Sequence, residues 1–181
     1  MFKKKEFYDI IYCILLILNI FGGDMAVLEI KRAGDPVLKK VSEPVKRIDK
    51  KVKRILKDMA DTLYKSGNGI GLAAPQVGIL QRIVVIDLQD GNGLLELINP
   101  VITKKEGSKI AGEGCLSVPN FEGEVERAEY VECEYTDPHG KKQFIATDGL
   151  LAVCLQHETD HLDGILFTDK AITITLKAPE E

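Results

Sequence analysis

The apolar positions change period along the chain, and each change predicts an element. Val52, Ile55, Leu56, Met59 and Leu63 recur three and four residues apart, which lines one face of a helix. Asp49 stands where an N-cap belongs, and Gly67 and Gly69 end the pattern. Before that helix, Asp35-Pro36-Val37-Leu38 reads as a turn, and Pro44 keeps the following stretch extended. Residues 82–88 (RIVVIDL) form a β-branched run, the pattern of a buried strand. Asp90-Gly91-Asn92-Gly93 predicts a hairpin turn into a partner strand over 94–98, with a weaker strand over 101–110. Residues 125–135 and 142–146 flank Asp137-Pro138-His139-Gly140, a second hairpin. Residues 149–162 have no Gly or Pro after the first position and read as a largely buried helix, with Asp148 as its cap. Helix, strands, then helix fits a small mixed α+β domain. Antiparallel strands would pack around the buried C-terminal helix, which does not fit a regular βαβ series.

The first 24 residues stand apart from this pattern. Lys3-Lys4-Lys5 precede an apolar run, Ile10 to Phe21, of twelve residues, whereas a spanning helix needs about 20. A basic head before a short apolar core resembles a signal peptide, but Glu6 and Asp9 interrupt it and no A-x-A site follows. A membrane anchor is a second reading. Upstream mis-start is a third, with Met25 as initiator, because Met25-Ala26-Val27 leads straight into globular patterning.

Composition narrows the class. A chain of 181 residues is about one domain, and 45% hydrophobic residues are enough for a packed core. With 24 Lys plus Arg against 28 Asp plus Glu, the formal charge is -4, so direct nucleic-acid binding is not predicted. Cys13, Cys115, Cys133 and Cys154 are too few and scattered for a disulfide framework. They point to a reducing compartment, the cytoplasm, where a special cysteine is a ligand or nucleophile.

The chemistry lies in three short stretches. His157-Glu158-Thr159-Asp160-His161 falls on the last predicted helix, and residues four apart share a helical face. Both imidazoles can then reach one metal, with Glu158 beside it as a general base. The extended form with a third histidine fails, because position 167 is Phe. Cys115, in Glu113-Gly114-Cys115-Leu116-Ser117-Val118-Pro119, is the best third ligand. Gly112 and Gly114 beside it permit close approach and unusual φ. Cys133 and Cys154 read instead as small buried hydrophobes, and His139 as a solvated turn residue. One thiolate and two imidazoles leave a fourth position open, the layout of a catalytic site.

The remaining stretch, residues 69–78 (GIGLAAPQVG), contains G-x-G-x-x-A. A dinucleotide site would need a strand before and a helix after, but a helix precedes it and Pro75 disfavours helix at Ala74. A glycine-rich loop beside an extended ligand fits better, with the Gln76 amide able to donate to an oxyanion. Two other classes remain open. A general H-E-x-x-H peptidase would cut internal peptide bonds and want His or Glu as third ligand. A zinc-stapled interaction module would need four protein ligands and no Gln76.

Together GIGLAAPQVG at 69–78, EGCLSVP at 113–119 and QHETDHLDG at 156–164 resemble the peptide deformylase family, in its bacterial type 1 branch, over residues 26–168. The resemblance implies that Cys115, His157 and His161 bind the metal, natively Fe(2+), with Zn(2+), Ni(2+) or Co(2+) as substitutes in preparations. It implies that Glu158 moves the proton, and that Gln76 and the backbone N–H of Leu116 stabilise the oxyanion. Gly71 and Gly114 line the site, while Ile70, Leu150 and Val153 form the methionine pocket. Glu113 and Arg127 match an ion pair behind the ligands. The implied substrate is the N-formylmethionyl end of a nascent peptide, hydrolysed to release formate. The implied division is a catalytic domain over 25–168 and a tail over 169–181. Members commonly continue into a basic C-terminal helix that can dock on the ribosome. Here residues 168–181 (TDKAITITLKAPEE) alternate β-branched positions and end acidic, which argues against docking by this tail.

Overall fold

The computed structural model describes residues 27–177, and the apolar extension of residues 1–24 lies outside them. Among the described residues two helices, α1 (Lys50–Ser66) and α2 (Gly149–Leu162), accompany eight strands. The strands are β1 (Gly71–Ala73), β2 (Ile83–Ile86), β3 (Leu95–Glu106), β4 (Lys109–Cys115), β5 (Val118–Arg127), β6 (Tyr130–Thr136), β7 (Lys142–Asp148) and β8 (Thr173–Leu176). They form two sheets, ordered β1-β2-β3-β6-β7 and β4-β5-β8, and every strand pair is antiparallel. The fold is α+β.

β2 explains its own composition. Ile83 and Val85 pack with Leu56, Met59 and Leu63 of α1, whereas Val84 and Ile86 pack with Ala152, Cys154 and Leu155 of α2. A strand covered by a helix on each face must be apolar at every position, which is why the run does not alternate. The two helices thus sit on opposite faces of the larger sheet. α1 begins as its sequence predicts, with the Asp49 carboxylate accepting from the N–H groups of Lys51 and Val52 at 2.9 and 3.0 Å. Asp148 occupies the corresponding position of α2, but its side chain makes no capping bond. That helix is held by its surroundings.

Three stretches differ from the sequence reading. The strands expected over 94–98 and 101–110 are largely one strand, β3, with a register shift between Ile98 and Val101. Asn99 absorbs the shift at φ 53, and its side chain bonds both the N–H and the C=O of Val45. The chain turns at Gly107, φ 67, so residues 109–110 already belong to β4. The strand expected over 125–135 is broken at Ala128, where the chain leaves one sheet for the other. There the Gln156 side chain of α2 takes over both backbone groups of Ala128, at 3.0 Å each. Finally, Thr173–Leu176 pair with Phe121–Glu124, so this part of the tail is the edge strand of the smaller sheet. Among the described residues no helix is long and apolar enough to cross a membrane.

Candidate metal centre and its cleft

Residues 152–162 of α2 are all buried, polar ones included, because the helix lies against the larger sheet on one side and the second sheet's end on the other. One turn of that helix presents His157 and His161 together, and β4 ends by delivering Cys115 opposite them. The His157 and His161 Nε2 atoms are 3.2 Å apart, and Cys115 Sγ is 3.3 Å from His161 Nε2. All three ligand-capable atoms lie within 4.8 Å of one another. Two imidazole nitrogens bound at ~2.0–2.1 Å to one tetrahedral ion stand roughly 3.3 Å apart, so this donor set fits a borderline-soft divalent ion. Cys115 is the last residue of β4, directly before the turn Leu116-Ser117.

Behind His157 lies an ion network. His157 Nδ1 is 2.7 Å from Glu113 Oε2, and Arg127 donates to both Glu113 oxygens at 2.6 and 3.0 Å. The guanidinium also reaches Asp160 at 2.5 Å, and Lys170 donates to both Asp160 oxygens at 2.7 Å. Burial opposes the charge on Glu113, but bonds from His157 and Arg127 win and hold its carboxyl down to about 2. Burial likewise opposes His157, yet its bonds with Cys115 and Glu113 push it up to about 10. His161 is held well below its ordinary value by burial, then by the charge of His157. Its Nδ1 is buried without a partner.

Glu158 is the exception among the acids. Burial pushes its carboxyl up to about 7, and its Oε2 has no partner. Gly71 of β1 packs against it, for a Cβ there would lie 2.4 Å from Glu158 Oε1 and 2.9 Å from Cys154 Sγ. Only glycine fits that position. Gly112 and Gly114 are different. A Cβ at either meets nothing within 4 Å, and neither has positive φ, so the strain expected from sequence is absent. They leave open space beside Cys115 instead.

Gln76 lies in a 3-10 turn, Ala74–Val77, that follows β1 directly. Its Oε1 accepts from Ala73 N–H at 2.8 Å, which turns Nε2 toward Ser117 Oγ at 3.3 Å and Cys115 Sγ at 3.5 Å. An N-terminal strap ties this turn to the next. Lys31 N–H donates to Gln76 O, Ala33 N–H donates to Ser117 O, and the Arg32 guanidinium bonds Leu116 O.

These residues open onto a cleft of about 1080 Å³, whose lining includes Ile70, Gly71, Gly114, Leu116, Leu150 and Val153. Leu150 is 56% exposed and forms the rim. Glu113 and Arg127 form a buried ion pair at 2.6 Å. Ser117, Asp160 and Lys170 escaped sequence reasoning, although Asp160 falls inside the H-E-x-x-H segment. Cys133 and Cys154 are buried, and burial raises both thiols, Cys133 to about 11. His139 is exposed in its turn.

The sequence model of the family described as Polypeptide deformylase matches residues 27–177. A protein named peptide deformylase from Acetivibrio thermocellus is 55% identical over 148 residues, 82% of this chain and 85% of that protein. A second, from Desulfitobacterium hafniense, is 52% identical over 81% of this chain and 96% of its own length. Among solved structures, a peptide deformylase from Synechococcus elongatus in complex with actinonin has a TM-score of 0.77 at 43% identity, covering 83% of this chain and 82% of that one. The Thermotoga maritima peptide deformylase also gives a TM-score of 0.77, at 39% identity, covering 81% of this chain and 99% of that one.

Proposed function

This chain belongs to the polypeptide deformylase family, and on that premise we propose which of its residues do the work. The reaction is hydrolysis of the N-formyl group from the N-formylmethionyl end of a nascent peptide. A C–N bond breaks, a C–O bond to water's oxygen forms, and the products are formate and a free amine. The observation that carries the assignment is the convergence of Cys115, His157 and His161 beside a buried Glu158 with one unpartnered oxygen.

In this reading Cys115, His157 and His161 hold one divalent ion, natively Fe(2+), with Zn(2+), Ni(2+) or Co(2+) as replacements. When bound, such an ion polarises a carbonyl as a Lewis acid and brings the pKa of water toward ~7. Glu158 accepts the proton that water loses as its oxygen joins the formyl carbon, then gives it to the departing amine. A carboxyl poised near neutrality suits both transfers. Gln76 Nε2 and the Leu116 N–H donate to the oxygen that gains negative charge. Both donors are held in advance, Gln76 by Ala73 N–H and Leu116 by the Arg32 strap, so little reorganisation is needed. Ile70, Leu150 and Val153 take the methionine side chain, while Gly71 and Gly114 let the peptide lie close.

A thiolate ligand needs reducing surroundings, which supports a cytoplasmic location. Ribosome docking through the tail finds no support, since Thr173–Leu176 are hydrogen-bonded into the smaller sheet.

The test is formate release from formyl-Met-Ala-Ser by protein prepared without oxygen. We expect activity that is lost in air with Fe(2+) and kept with Ni(2+), because iron oxidises readily and the thiolate beside it is vulnerable. Equal, oxygen-insensitive rates with every metal would overturn the iron assignment. No formate release from protein holding one metal per chain would overturn the residue roles.

A further inference from the structure

The ion network behind His157 continues past the Glu113–Arg127 pair to the protein surface. In order from the surface it runs Lys170, Asp160, Arg127, Glu113 and His157, each in contact with the next at 2.5–2.7 Å. Side-chain exposure falls along it from 37% at Lys170 to 13% at Asp160 and 3% at both Arg127 and Glu113. We infer that Lys170 is a positioning residue that fixes the metal ligand His157 through this relay.

The argument is one of charge balance around a single guanidinium. Arg127 spends two N–H groups on Glu113 and one on Asp160. With His157 neutral, as a metal-bound imidazole is, two carboxylates share one buried arginine and leave a net negative charge where little water reaches, which is costly. Lys170 supplies the missing positive charge and does so at both oxygens of Asp160. Without it, Asp160 would compete with Glu113 for the guanidinium. Glu113 is what holds His157 Nδ1 and thereby aims its Nε2 at the ligand cluster. Groups that orient a metal-bound histidine through its other ring nitrogen typically change affinity 10–100-fold when lost.

Lys170 is well placed to couple. It closes the 3-10 turn Phe167–Asp169, and Phe167 from that turn stacks on the His157 ring with centroids 6.3 Å apart. The same short segment therefore supports the imidazole by contact and by charge. Nothing in the H-E-x-x-H pattern requires a lysine here.

The inference rests on Cys115, His157 and His161 being the ligands, and the experiment separates the two ideas. Nickel-loaded protein is challenged with excess chelator, and the rate of metal release is followed. Lys170→Met should release nickel about 10-fold faster than wild type, and Lys170→Gln, which keeps a polar tip but no charge, should do the same. Lys170→Arg should return the rate to within a few-fold of wild type. KM for formyl-Met-Ala-Ser should stay unchanged, because Lys170 lies outside the peptide cleft. Wild-type release rates in both neutral variants would overturn the relay while leaving the ligand assignment intact. An equally fast release from Lys170→Arg would also overturn it, since packing rather than charge would then be at stake. Full metal retention in Cys115→Ala would overturn the ligand assignment itself.

Discussion

α1 and α2 lie on opposite faces of one sheet, yet they are stabilised in different ways. α1 carries its own instructions. Its apolar face is buried, its outer face holds the i,i+4 pairs Arg54–Asp58 and Lys57–Asp61, and Asp49 caps its start. α2 has no side-chain cap and is buried over residues 152–162 with six polar side chains among them. Three of those side chains are satisfied by other elements: Gln156 by Ala128, His157 by Glu113, Asp160 by Arg127 and Lys170. Within α2 the buried atoms left without a partner are Glu158 Oε2 and His161 Nδ1, both at the ligand cluster. A helix that serves only the fold can be satisfied from its own sequence. One that serves chemistry keeps reactive groups unsatisfied and needs the rest of the protein to tolerate them.

The strongest way to break this comparison is Glu158→Gln. General acid–base work is worth ~10²–10⁴-fold. With Glu158 in the proposed role in both proton transfers, kcat should fall by ~10³ or more, with metal analysis still giving one ion per chain. Near-normal kcat would mean that the proton travels by another group. The same variant tests stability. The folded carboxyl binds its proton more tightly than an unfolded one, about 7 against the ordinary 4.5. Wild-type protein stripped of metal should therefore lose stability relative to Glu158→Gln as pH rises from about 4.5 to about 7, with no further divergence above. Urea midpoints across that range check the sign. On the other side of the sheet, Leu56→Ala should cost ~2–5 kcal/mol of stability, for Leu56 is fully buried against β2. Its kcat, measured where the variant is fully folded, should stay within two-fold of wild type. The smallest effect belongs to Asp49→Ala, which should cost ~1 kcal/mol by thermal unfolding and leave kcat untouched.

The same contrast decides what was legible in the sequence. α1 could be read whole, including its cap, because its signals are local. The candidate metal cluster was legible as motifs, since H-E-x-x-H on a helix and a cysteine directly after a glycine-rich stretch have few other uses. The break at Ala128 was not, because what replaces the strand's hydrogen bonds is Gln156, far along the chain. The joining of β3 across Asn99-Pro100 was hidden by a proline that normally ends a strand; here a register shift accommodates it. Asp160 and Lys170 look like ordinary surface charges in sequence. Only the fold shows that the two of them complete a network anchored on Arg127.

The order in which the centre's parts occur along the chain has a consequence for the protein's own birth. Gln76, Cys115, the two histidines and Lys170 enter in that sequence, and the last follows the first by about half the polypeptide. At translation speeds of ~5–20 residues per second, roughly 5 to 20 seconds pass between them. Until then a growing copy holds fragments of a centre and no working one. An enzyme whose substrates are unfinished chains is thus inert while it is one itself.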